Sequence, residues 1–330
     1  MPWWAGSMIQ TLSVEILRFR QSFLGQIRAF FDSRGYLEVQ TPALNPTGAV
    51  EPFIDSFQVH ATGDRKSPAG PSGGTEGYLI TSPEYNLKTV LAASPVPIYE
   101  ICHSFRAGDV GAEHTEEFLM LEWYRPGATE SDLILETNSL LVHLSRSFPL
   151  PTGLRLPEKP RTLAVGDLFA QAGIGGLGRD VLERAAVDMK LGSKADRYDE
   201  LFFSLFLNRI EPLLRIPEPV YLNGYPEELA ALSNTERGLA KRFELYWNGL
   251  ELANGYEELR NKEEHLRRFK EFNDIRRKTG RPEMKGDPQF LENIEKMPEC
   301  SGIALGVERL MMVFLGENHI ANISPFAWPK

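Results

Sequence analysis

Two arginines far apart in the chain stand where cations could serve a ligand. Arg106 closes an apolar run and opens a short polar loop that carries His114 and leads to Phe118. Arg309 follows an apolar run with glycines four apart, Gly302 and Gly306. Glycine inside a strand often marks the close approach of a ligand or of another backbone. Two fixed cations, an aromatic platform and a close-approach backbone suit a nucleotide triphosphate. For a single arginine the plainer explanation is a solvated surface side chain, and for the two glycines it is tight packing. His114, in its charged loop, is either solvated or a phosphate contact. Glu251 and Glu258 flank Asn254-Gly255. At two ends of one bend, both could face a cation, either Mg²⁺ held with phosphates or a substrate amine. Glu84, after Ser82-Pro83, is a third carboxylate of this kind. No GxxxxGK[ST] loop, GxSxG elbow or metal-histidine cluster competes with this reading.

The 330 residues are 42% hydrophobic and 25% charged, the balance of an ordinary globular protein. A net charge of −9 argues against extensive RNA binding, which favours a basic face. Cys102 and Cys300 form no CxxC pair, so a reduced cytoplasmic setting is expected. No apolar run approaches the roughly 20 residues of a membrane helix. Residues 1–8 lack the layout of a signal peptide.

The elements that must position these residues follow from periodicity. Residues 14–34 read as an amphipathic helix, with Phe23, Ile27, Phe30 and Phe31 on one face and Gly35 ending it. A strand over 36–41 stops at Pro42. The Gly-, Ser- and Pro-rich stretch 61–77 reads as an exposed loop. Strands are predicted at 78–81, 98–105 and 118–124, the last two joined by the loop 107–115, with a helix over 85–93. Thr129 opens a capping box before a leucine stripe. Segment 149–220 is the least legible and reads as an inserted, mainly helical region. Asn248-Gly249 signals a hairpin between strands at 240–247 and 250–253. A charged helix over 261–278, a strand over 303–307 and a helix over 309–315 complete the chain. Strands and helices do not alternate regularly. The expected fold is therefore α+β, an antiparallel sheet flanked by helices.

These motifs resemble class II aminoacyl-tRNA synthetases, and among them the lysyl branch. Residues 31–42 resemble the first class motif, which forms the dimer interface. Arg106 to Phe118 resembles the second and Gly302 to Arg309 the third. Residues 251–259 resemble the lysyl-type segment for ATP, metal and amino acid. The first motif starts within the first helix, so no anticodon-binding domain is expected. The chain is thus expected to be one catalytic domain over 1–330, similar to the truncated lysyl-type ligases that attach (R)-β-lysine to elongation factor P. Ser82 and Ala304 agree with that branch, where the full-length synthetases tend to carry alanine and glycine.

The resemblance implies an ATP-dependent ligase and a homodimer, with Mg²⁺ as cofactor. Arg106 would hold the α-phosphate of ATP during attack by the carboxylate of lysine or (R)-β-lysine. Phe118 would stack on adenine, with Arg309 opposite and His114 beside the nucleotide. Glu251 would bind Mg²⁺ or ATP, with Leu252 and Gly306 lining the nucleotide site. Glu258 and Tyr124 would grip the side-chain ammonium, and Ser82 and Glu84 the amine near the reacting end. Ala304 would narrow the pocket wall by a methyl group. Ala107 and Gly108 depart from the usual asparagine and glutamate, and Asp109 or Glu113 is the expected substitute. Alternatives are another acceptor, tRNA or a small molecule, and a regulatory paralogue without catalysis.

Overall fold

The computed structural model describes residues 12–60, 76–191 and 197–324. Helix α1, Val14–Asp32, starts where the Ser13 hydroxyl accepts from the Ile16 amide, and buries Phe23, Ile27, Phe30 and Phe31. Gly35 reverses the chain with a φ of +75°. Strand β1, Leu37–Glu38, is shorter than the predicted 36–41. After it the chain turns inward, and the Thr41 amide and hydroxyl both donate to the Glu100 carboxylate, at 2.7 and 2.9 Å. Strands β2 (Leu44–Asn45), β3 (Gln58–His60) and β4 (Glu76–Leu79) form a small separate sheet. Most of the expected loop 61–77, and the segment 1–8, lie outside the described residues.

Helix α2 (Glu84–Ala93) leads to a long pair, β5 (Ile98–Phe105) and β6 (Glu117–Pro126), as predicted. Helix α3, Glu130–Ser147, opens with the expected capping box between Thr129 and Asp132. Segment 149–220 is not purely helical. Its strand β7 (Arg161–Ala164) pairs in parallel with β8 (Val220–Asn223) at one edge of the main sheet. Helices α4 (Val165–Gln171), α5 (Arg179–Asp188) and α6 (Tyr198–Leu205) share a second core with those strands, built on Phe169, Phe202 and Tyr225.

A two-residue pair, β9 (Thr235–Glu236) and β10 (Leu239–Ala240), precedes β11 (Arg242–Trp247) and β12 (Leu250–Glu257). Asn248 and Gly249, both at positive φ, make the predicted hairpin turn. Strand β12 overturns one expectation. Asn254 and Gly255 are not a bend but continue the strand, opposite Ala304 and Ile303. Gly255 is required there because the Phe243 ring fills the space a Cβ would need. Helices α7 (Lys262–Lys278) and α8 (Pro288–Asn293), strand β13 (Cys300–Gly306) and helix α9 (Val307–Leu315) follow.

The main sheet has eight strands in the order β1-β5-β6-β13-β12-β11-β8-β7. The central six are antiparallel, as expected, and only the two edge pairs are parallel. Alternation splits β6 and β13 between two faces. Leu119, Leu121, Trp123, Ile303 and Leu305 join the core against α1, α3 and α9. Phe118, Met120, Glu122 and Tyr124 therefore point the other way, as do Gly302, Ala304 and Gly306. On that second face a smaller core around Leu87, Leu91, Phe269 and Phe290 closes one side, and a cavity remains between.

Candidate active site

Strand register assembles the floor of the cavity. Tyr124 lies opposite Gly302, which lies opposite Tyr256. One row on, Glu122, Ala304 and Asn254 align, and then Met120 and Gly306. Gly302 is needed for packing rather than for ligand approach. A Cβ there would collide with the Tyr124 ring and stand 2.6 Å from a Glu258 carboxylate oxygen. Gly306 is different, because it borders the cavity with only the Arg309 side chain near.

At one end of the cavity stand the cations. Arg106 follows β5 and is fixed by its backbone: its amide donates to the Glu116 carbonyl, and the Ala107 amide to the Asp55 carbonyl, both at 2.8 Å. Its guanidinium carbon is 5.2 Å from the centroid of the Phe118 ring. The Arg106 Nε is buried without a hydrogen-bond partner, a donor placed for an incoming acceptor. Burial, then Arg309, pulls the Arg106 pKa down. Arg309 is held by carbonyls, donating to Glu113 at 3.1 Å and to Glu251 at 2.9 Å, and it contacts His114. Burial and Arg309 lower the His114 pKa, which favours a neutral ring that accepts from the guanidinium. Burial, then Glu244, pushes the Glu251 carboxyl up to about 7.

Glu308 ties this end to the helical layer. Its carboxylate accepts from the Leu119 amide at 2.9 Å and pairs with Arg20 of α1 at 3.0 Å. The backbone beside Phe118 and the helix that carries Arg309 are thus braced by one side chain.

At the other end carboxylates gather around a lysine. Lys88, one turn beyond Glu84 on α2, puts its Nζ 2.5 Å from Glu84 and 2.5 Å from Glu258. Burial pulls its pKa down, but the Glu258 and Glu84 carboxylates outweigh this and raise it. Burial lifts Glu258 to about 7. The Tyr124 hydroxyl donates to Glu122 Oε1 at 2.6 Å. Glu122 Oε2 is buried with no partner, and burial, then Glu84, drives its pKa well up. The Ser82 hydroxyl accepts from the Glu84 amide at 3.2 Å, which fixes the start of α2.

Comparison with known proteins gives the arrangement its context. The model of the family described as tRNA synthetases class II (D, K and N) matches residues 7–330.

The chain belongs to the class II tRNA synthetase family.

It is 35% identical over 321 residues to a protein of Erwinia tasmaniensis, and 34% identical over 321 residues to one of Salmonella paratyphi B. Each alignment covers 95% of both chains, and each relative bears the name elongation factor P–(R)-β-lysine ligase.

In this class II chain the predicted site residues share one cavity. Ser82, Glu84, Arg106, His114, Phe118, Tyr124, Glu251, Leu252, Glu258, Ala304, Gly306 and Arg309 all line it. Asp109 and Glu113, the expected substitutes for the motif-two departures, line it too. The sharing of one cation by Glu251 and Glu258 is overturned. They stand seven residues apart along an extended chain, on the order of 20 Å at about 3.3 Å per residue, near opposite ends of the cavity. Among the described residues no group of three or more histidines, cysteines or carboxylates could hold a metal ion.

Sequence reasoning missed Glu122, Lys88 and Glu51, which also shape the site. Period-two spacing from Tyr124 could have found Glu122, and helical spacing from Glu84 could have found Lys88. Glu51 carries no local signal. No helix among the described residues is long and apolar enough to cross a membrane.

Proposed function

We propose that this protein activates (R)-β-lysine with ATP and transfers it to a lysine of translation elongation factor P. One observation carries the reading: a single cavity has guanidinium groups without carboxylate partners and an aromatic ring at one end, and carboxylates gathered around the Lys88 ammonium at the other. The relatives' names supply the amino acid and the acceptor.

In this mechanism Glu258 and Tyr124 orient the distal ammonium, and Glu84 and Ser82 face the amine near the reacting carboxylate. Phe118 and Arg309 clamp adenine, Leu252 and Gly306 line the nucleotide site, and His114 steadies Arg309. The substrate carboxylate attacks the α-phosphorus of ATP and diphosphate leaves. Arg106 stabilises the charge that develops on the phosphoryl oxygens. The acceptor amine then attacks the acyl carbon and AMP leaves. Glu251 is one carboxylate beside the triphosphate end, and Mg²⁺ commonly takes one or two carboxylates together with phosphate oxygens. It fits that ion, which would neutralise phosphate charge. Glu258, paired with Lys88, does not fit it. A homodimer through α1 and β1 and a cytoplasmic setting belong to the same proposal.

The test is ATP–diphosphate exchange with (R)-β-lysine, α-lysine or no amino acid, followed by acylation of purified elongation factor P. Exchange that depends on (R)-β-lysine, with transfer to the factor, is expected. Folded protein that exchanges with neither lysine would overturn the ligase reading.

A further inference from the structure

Glu51 lies in the connection between β2 and β3 and lines the cavity together with Ile54. It also lines a smaller recess with Ser82, Glu84 and Tyr85. Its neighbours Ala49 and Val50 are buried, so the chain is anchored immediately before it. Arg276 of α7, itself fully buried, anchors the chain after it. That guanidinium donates to the carbonyls of Glu51 at 2.8 Å and Ile54 at 3.0 Å, and pairs with the Asp55 carboxylate at 3.2 Å. The Asp55 carbonyl in turn accepts from the Ala107 amide at 2.8 Å. The backbone that presents Glu51 is therefore tied directly to the residue after Arg106.

A carboxylate held in a cavity wall is costly unless it meets a cation or a hydrogen-bond donor. Glu51 makes no ion pair among the described residues, whereas the nearby Lys88 is engaged by Glu84 and Glu258. Burial, then the Glu84 charge, pushes Glu51 up to about 7, while Lys88 and Arg106 pull the other way. Its electrostatic neighbours thus belong to both ends of the cavity. This is the junction where a substrate's reacting carboxylate and its nearest amine must lie. Glu122, 2% exposed, accepts from the Tyr124 hydroxyl through Oε1, and its Oε2 lacks a donor.

We infer that Glu51 is a specificity residue that, with Glu84, holds the amine closest to the reacting carboxylate of a diamino acid. The inference rests on the ligase reading and deepens it. The distal ammonium is held by Glu258, so an acid with only that amine would leave Glu51 unanswered. Binding such a substrate leaves the partly buried Glu51 carboxylate without a cationic partner, and binding a diamino acid supplies one.

The test compares (R)-β-lysine with 6-aminohexanoate in ATP–diphosphate exchange. The second compound keeps the carboxylate and the distal amine and lacks the amine between them. Wild type should prefer (R)-β-lysine, and Glu51→Gln should narrow that preference by about 10–100-fold, the value of a charge-assisted hydrogen bond. Glu51→Asp, which retains the charge on a shorter arm, should fall between the two. Circular dichroism and thermal melting establish that each variant is folded. A preserved preference in folded Glu51→Gln, with both substrates slowed alike or neither slowed, would overturn the inference and leave the ligase reading standing. Wild type that exchanges with no amino acid would overturn both.

Discussion

The two ends of the cavity deal with charge in opposite ways. At the cationic end neither Arg106 nor Arg309 forms an ion pair with a carboxylate among the described residues. Arg309 is steadied by carbonyls and His114, and Arg106 keeps a buried, unpartnered Nε. Their charge is left for an incoming anion. At the acidic end Glu84 and Glu258 are already engaged by Lys88, and Glu122 by the Tyr124 hydroxyl. That end offers shape and direction more than raw charge. The nucleotide end should therefore respond most in catalysis, and the amino-acid end in stability, pH dependence and selectivity.

The largest effect expected is at the cationic end. Arg106→Ala or Arg309→Ala should lower exchange by about 10²–10³-fold, the usual loss when one preorganised stabilising group is removed. Thermal melting should show the fold intact. Loss of activity through unfolding alone would break the contrast between the two ends.

Lys88→Met should act first on stability. It strands two carboxylates that share one buried ammonium, and breaking a buried pair costs about 3–5 kcal/mol. Urea unfolding measures this. A neutral outcome would mean that Glu84 and Glu258 do not depend on the lysine.

The pH dependence follows from Glu258, whose pKa is pushed by burial from the ordinary 4.5 up to about 7 in the folded protein. A raised carboxyl binds its proton more tightly in the folded state. Its contribution to stability is therefore full below the unfolded value and is lost as pH rises through about 7. Amine binding runs the other way, because it needs the ionised form. The KM for (R)-β-lysine should fall as pH rises towards 7, by up to about tenfold per unit, and level off above it. Glu258→Gln should flatten both profiles.

The smallest effect belongs to Ala304, at the centre of the floor between Glu122 and Asn254. Ala304→Gly removes one methyl group, and such a group discriminates by roughly 1–3 kcal/mol. The ratio of α-lysine to (R)-β-lysine exchange should rise by about fivefold, the low end of that range, while catalysis with the preferred substrate survives.

What the sequence disclosed followed what is local. The α1 stripe, the Thr129 capping box, the Asn248-Gly249 turn and the long β5–β6 pair are written in spacing over a few residues, and the structure reproduces them. Strand β1 was overextended because the donation of Thr41 to Glu100 is a contact across 59 positions. The bend at Asn254-Gly255 was misread because turn residues also serve strands when a ring such as Phe243 needs the room. The cavity residues of the class motifs were legible through the resemblance. Glu122 and Lys88 were not, although Tyr124 and Glu84 lay at the right spacing from them. Glu51 depends on Arg276, more than 200 residues away, and no window on the sequence could have reached it.

Lys88 has a further consequence. A primary ammonium belonging to the chain itself is fixed 2.5 Å from both Glu84 and Glu258 before any substrate arrives. The recess is in effect a mould cast around an amine, with the casting left in place. These carboxylates cannot relax onto each other or turn out to solvent in the resting protein, so little rearrangement is left for the moment of capture. A guest cation would meet carboxylates already held in place by the resident ammonium, which occupies Glu84 Oε1 and Glu258 Oε2.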